Sequence, residues 1–245
     1  MRGHMNRIIV MDGIRHQEIR NMITQFKREG DSIYLLLSGE EAEWLRQEKG
    51  TELWQSTDRQ EAGTDFHMCI HRRDYAETVR ALYEEILEEK GKVDILVYAP
   101  CARAGGDGAV GEGHSCEDIY TAVERNVMGF RTLVDSMMPL MSKSTVRRIA
   151  VITEENASVR NCTAERDYGY HMSLAAINMA EKIYFNRLRK EGFTFRNYAG
   201  SSDGGKMGAT WYVTCGLSNN PEDPPMHSDE NRLVMRNSLY EEIAW

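Results

Sequence analysis

Apolar runs and helical periodicities alternate along the first 200 residues of this 245-residue chain. The runs are RIIVM (7–11), SIYLLLS (32–38), DFHMCIH (65–71), VDILVYA (93–99), RRIAVIT (147–153) and FTFRNYAG (193–200). Each has the length of a strand, and several are apolar at consecutive positions, as a sheet covered on both faces requires. Between them, Ile14, Ile19, Met22, Ile23 and Phe26 fall on one helical face, with Gly30 as a stop. EEAEWLRQEKG reads as a short charged helix. Asp74 followed by Glu77 opens the next helix as a capping box. Further helices are predicted over 115–141, with Ser115 as cap, and over about 168–191. Such alternation specifies an α/β fold: a doubly wound parallel sheet, right-handed crossovers and helices on both faces. After 200 the pattern dissolves into turn-rich stretches, with RLVMR (232–236) as one last strand.

Composition narrows the function classes. Thirty basic against 38 acidic residues give a net charge of −8, which repels nucleic acid and anionic lipid. No apolar run approaches the roughly 18 residues of a membrane span, and no signal peptide is visible. The five cysteines are odd in number and widely spaced, without a CxxC pair, so a reduced, cytoplasmic chain is the simplest expectation. MRGHM reads as a cloning remnant, which leaves residues 6–245 as a single domain.

Four stretches carry a resemblance. NVMG (126–129) lies inside the long helix, PLM (139–141) ends it, RRIAVIT forms the fifth strand, and YHMSLAAINM (170–179) opens the last long helix. In this order and spacing they resemble the short-chain dehydrogenase/reductase family over about residues 6–200. The resemblance implies a Rossmann-like domain that binds NAD or NADP. It also implies catalysis by a Tyr-x-x-x-Lys pair with a Ser and an Asn.

The departures from that pattern fall on the chemistry. The family's Gly-x-x-x-Gly-x-Gly turn lets the backbone approach a pyrophosphate at a helix N-terminus. Laid on VMDGIRHQEIR, the glycines fall on Asp12, His16 and Glu18. A carboxylate about 4 Å from a phosphate costs on the order of 4 kcal/mol at an effective dielectric near 20, roughly a thousandfold in affinity. Ser38 stands at the adenosine-ribose position after strand two, and YAPC (98–101), with Ala99, replaces Asn-Asn-Ala-Gly after strand four. GGDGAVG (105–111) contains a lone Gly-x-Gly-x-x-Gly that does not open a helix, and reads as a flexible loop.

Carried over residue by residue, Tyr170 takes the general acid/base position and Asn126 the relay position. Glu154, beside Thr153, takes the Ser position, and Leu174 stands where the lysine belongs. Ser158 is a substitute for the serine if the loop bends. No tyrosine in the chain has a lysine four residues later. Without that cation, a tyrosine of pKa near 10 is only about 0.1% ionised at pH 7. His171, Cys162 and Glu154 have no metal-ligand spacing, so no metal is expected.

Three functions remain open. The favoured one is a non-catalytic relative that binds no cofactor and acts as a subunit or binding module. It would be a homo-oligomer or the silent partner of an active homologue. The helices at 115–141 and 168–191 are the elements with which the family pairs subunits, and here they carry Met128, Met137, Met138, Met141, Met172 and Met179. The alternative is an NAD(P)-dependent oxidoreductase acting on a small carbonyl or alcohol, with a third group supplied by a partner chain or by Lys206. The third is a lyase or isomerase built on Tyr170, Glu154 and His114.

Overall fold

The structure is a computed structural model that describes residues 6–47, 65–71, 74–100, 102–103, 109, 111–112, 115–200, 208–217 and 229–245. His114, Lys206, the 1–5 segment and most of the 105–111 stretch lie outside the described residues. Strands β1 (Ile8–Asp12), β2 (Ser32–Ser38), β3 (Phe66–His71), β4 (Ile95–Tyr98), β5 (Arg148–Glu154) and β6 (Thr194–Gly200) follow the six apolar runs. Strands β7 (Met235–Asn237) and β8 (Glu242–Ile243) add a C-terminal hairpin. The sheet order is β3-β2-β1-β4-β5-β6-β7-β8, parallel throughout except for the antiparallel β7–β8 pair. The order reverses between β1 and β4, the switch point at which doubly wound sheets open a crevice at their strands' carboxyl ends.

Alternating side chains of each strand feed two cores. Ile8 and Val10 of β1 join Tyr34, Leu36 and Leu96 on one face. Helices α3 (Tyr75–Glu89), α5 (Gly129–Met141) and α6 (Tyr168–Leu188) cover that face with Val79, Phe130, Met137, Ile177 and Phe185. Ile9 and Met11 point the other way, under α1 (Gln17–Arg28), α2 (Gly39–Gln47) and α7 (Ala209–Thr214). Asp74 caps α3 by accepting the Glu77 N–H at 3.1 Å.

The 115–141 helix is not continuous. Ser115 caps α4 (Cys116–Val123), accepting the Glu117 N–H at 3.1 Å, and a π-helical turn at Glu124–Met128 separates α4 from α5. Helix α7 and strand β8, in the stretch that reads as turns, are the other departures from the sequence expectation. Two arginines secure this C-terminal part. Arg148 and Arg196, on adjacent strands and buried, both donate to the Glu230 carboxylate, Arg148 at 3.0 Å. Arg148 also donates to the carbonyls of Val213 and Cys215 at the end of α7, at 2.8 and 2.9 Å.

Candidate functional site

The crevice at the switch point begins where β1 ends. Asp12 is the last residue of β1 and Gly13 turns the chain with φ 88°. A Cβ on Gly13 would lie 2.3 Å from the Ala99 carbonyl oxygen, so only glycine fits this close approach. The left-handed glycine therefore falls one residue later than the sequence placement. Counted from Gly13, the remaining pattern positions are Gln17, which opens α1, and Ile19, fully buried beneath it, rather than His16 and Glu18. His16 instead precedes α1 and sets its ring Nε2 3.1 Å from the Pro100 carbonyl, and burial lowers its pKa. Glu18 sits in the first turn of α1 against Gly200.

Carboxylates crowd this turn. Ser38 and Glu41 form a reciprocal cap at the start of α2: Ser38 Oγ accepts the Glu41 N–H at 3.1 Å and Glu41 Oε2 accepts the Ser38 N–H at 2.9 Å. The second oxygen, Oε1, crosses to the turn after β1 and accepts the Ile14 N–H at 3.0 Å. The buried Asp12 carboxylate accepts the Tyr75 hydroxyl, and its backbone carbonyl accepts the Ala99 N–H at 2.9 Å. Burial and the nearby Glu41 push the Asp12 carboxyl up to about 7.

The second half of the site lies on β5 and α6. Tyr170 and Leu174 are buried against Ala157. The side chain at the lysine position is thus part of a small apolar cluster. A cation nevertheless reaches Tyr170: the guanidinium of Arg103, from the segment after β4, stacks 4.0 Å from the ring centroid. Arg103 is held by Asp167 at 2.7 Å and lies 3.7 Å from Glu154. Burial opposes its charge, but Tyr170, Glu154 and Asp167 outweigh that and raise its pKa. The sequence points to Arg103 only by its place after the fourth strand; a search for a cation at helical spacing from Tyr170 misses it.

Glu154 Oε1 and His171 Nδ1 face each other at 3.8 Å, and neither atom has a hydrogen-bond partner among the described residues. Tyr170, Glu154, His171 and Arg103 therefore form one polar constellation. Asn126 stands apart from it. Its Oδ1 accepts the Ala102 N–H at 3.0 Å, and its Nδ2 donates to the Ala102 carbonyl at 3.0 Å and to Ser173 Oγ at 2.8 Å. Its backbone carbonyl accepts the Tyr98 hydroxyl at 2.8 Å. Asn126 is thus fully engaged in fixing the segment after β4 to the π-helical turn. Ser158 is also engaged: it donates to the Ala244 carbonyl and accepts the Asn161 N–H at 3.1 Å.

Solved structures share this fold. The carbonyl reductase Sniffer of D. melanogaster superposes with a TM-score of 0.69 at 14% identity, covering 99% of this chain and 100% of that one. A putative short-chain alcohol dehydrogenase from Burkholderia multivorans gives 0.64 at 15% identity over 98% and 100%. The fold is that of the short-chain dehydrogenases/reductases. A putative short-chain dehydrogenase/reductase from the same bacterium, with bound NADP, gives 0.64 at 13% identity over 98% and 100%. No protein-family model matches the chain. Among curated proteins, C-signal of Myxococcus xanthus is 32% identical over 106 residues, which are 42% of this chain and 61% of that protein. No helix is long and apolar enough to cross a membrane among the described residues.

Proposed function

We propose that this chain uses the short-chain dehydrogenase/reductase fold without nicotinamide-dependent hydride transfer, as a binding subunit. The observation that carries this reading is Glu41. Its carboxylate occupies the Ile14 N–H at the turn where a pyrophosphate needs free donors. The buried Asp12 carboxyl lies close enough to Glu41 for the two to repel, so this turn fits a dinucleotide phosphate poorly. The buried Leu174 supports the same reading, since nothing at that position can hold a nicotinamide ribose. The partner surface is the outer face of α4 and α6, where Tyr120, Met172, Met179 and Ile183 are exposed. It suits a second copy of this chain or an active homologue. Calorimetric titration with NADH and NADPH to millimolar concentration is the test: no heat beyond dilution is the expected result, and micromolar binding overturns the proposal.

One observation favours a second reading, an oxidoreductase with an altered site. Arg103 over Tyr170 supplies a cation where the helix has lost one, and a solved relative of the same fold binds NADP. In that reading Tyr170 donates a proton to a carbonyl oxygen and Arg103 stabilises the phenolate left behind. NAD(P)H-dependent turnover across a panel of small carbonyls, lost in Arg103→Ala, is what this reading requires.

A further inference from the structure

Far from the crevice, at the amino end of β3, three potential ligand atoms converge. His67 lies on β3, and Glu85 and Glu89 lie one turn apart at the end of α3. One nitrogen or oxygen from each lies within 4.8 Å of the others. The imidazole is the informative member. Its Nε2 faces Asp65 Oδ1 at 2.7 Å and its Nδ1 faces Glu85 Oε1 at 3.2 Å. A neutral imidazole carries a single N–H. Once Nε2–H donates to Asp65, the Nδ1 lone pair points at a carboxylate oxygen, and something positive belongs between them.

We propose that His67, Glu85 and Glu89 together bind one first-row divalent cation, with zinc the best match. Two ligands at bond lengths of about 2.1 Å and angles of about 90–109° stand roughly 3.0–3.4 Å apart, the range in which His67 Nδ1 and Glu85 Oε1 already stand. The outer contacts are those of a metal site. Asp65 fixes the imidazole tautomer through Nε2, and the Tyr34 hydroxyl donates to Glu89 Oε2 at 3.0 Å. Tyr34 also stacks on the His67 ring at 4.4 Å and fixes its plane. The charges around the site favour added positive charge. Glu85 and Glu89 repel one another at i,i+4 spacing, and both sit at the negative end of the α3 dipole with no basic residue in its last turn. Lys90, next to Glu89 in the chain, is paired with Asp65 instead. Three protein ligands at a part-exposed position leave the rest of the coordination sphere to water.

The test is titration of EDTA-stripped protein with zinc by calorimetry and with cobalt by visible absorption. One-to-one binding at micromolar or tighter affinity is expected, with cobalt bands that report nitrogen and oxygen ligands. His67→Asn and the double variant Glu85→Gln/Glu89→Gln should each weaken it at least tenfold, while Asp65→Asn should weaken it less and leave the stoichiometry intact. The glutamine changes lie on a helix surface, and circular dichroism verifies that the helix persists. No saturable binding by the wild-type chain would show that the cluster holds an imidazolium only. Equal affinity in the double variant would place the metal elsewhere. Either result overturns the proposal.

Discussion

Glu41 Oε1 accepts the Ile14 N–H at 3.0 Å, joining the start of α2 to the turn after β1. Through Oε2 the same carboxylate closes the cap on Ser38. Two backbone donors therefore depend on one side chain. Glu41→Ala leaves both without that acceptor in a buried turn and should cost about 2 kcal/mol. Urea unfolding measures this, and an unchanged midpoint would mean that the crosslink is dispensable.

Leu174→Lys restores the residue type expected from the family pattern. Here it places an ammonium among Ala157 and Tyr170, which are buried. Stability should fall by about 3 kcal/mol or more. No NAD(P)H-dependent reduction should appear, because the turn around Glu41 is unchanged. If turnover does appear, Leu174 alone was silencing an otherwise intact enzyme, and the binding-subunit reading fails.

Glu181 makes stability depend on pH. It lies fully buried on α6, where Oε2 accepts Asn197 Nδ2–H at 2.7 Å. Burial, partly offset by that bond, raises its pKa from 4.5 to about 8. Between those values the native protein keeps a proton that the unfolded chain has lost. The unfolded state then binds fewer protons, so stability declines as pH rises from about 4.5 to 8 and levels off above. Asp12, raised to about 7, adds to the decline with the same sign. Glu181→Gln should match the wild type near pH 5 and exceed it near pH 9 by on the order of a few kcal/mol. Denaturant unfolding at the two pH values decides it: equal differences would show that Glu181 keeps its charge.

Glu230 pairs with two buried guanidinium groups at once. Burial and the neighbouring Arg196 lower the Arg148 pKa to about 10, against the pull of Glu230. Glu230→Ala leaves two like charges inside the fold and should cost about 3–5 kcal/mol. Differential scanning calorimetry tests this; a loss under about 1 kcal/mol would mean that the carbonyls of Val213 and Cys215 for Arg148, and of Tyr212, Asp229 and Cys215 for Arg196, suffice for both guanidinium groups.

The sheet was legible because its strands announce themselves as apolar runs and its helices by the spacing of residues such as Ile19, Met22, Ile23 and Phe26. The C-terminal part was not. The end of α7 and Glu230 are held by Arg148 and Arg196, residues that look like surface charges until two adjacent strands bury them together. Spacing alone cannot tell Asp12 from Gly13 as the residue that turns the chain after β1. A positive φ and the carbonyl of Ala99 can. Arg103 was missed for a related reason: its contact with Tyr170 spans two elements, and no periodicity within one helix reports it.

The wide turn at Glu124–Met128 sets how the long helical segment tolerates changes in length. A π turn holds one residue more than an α turn. Loss of a single residue there lets the segment close into an ordinary helix. Because the wide turn takes up its extra residue within itself, everything before it keeps its phase relative to α5 when that residue is lost. Ala122 and Ile119, which lie against Gly169 of α6 so closely that a Cβ there would sit 3.2 Å and 3.1 Å from them, would keep that contact. One-residue deletions in 124–128 should therefore preserve both helix content and the seat of α4 on α6, whereas deletions of the same size in α5 would put its own core residues out of phase.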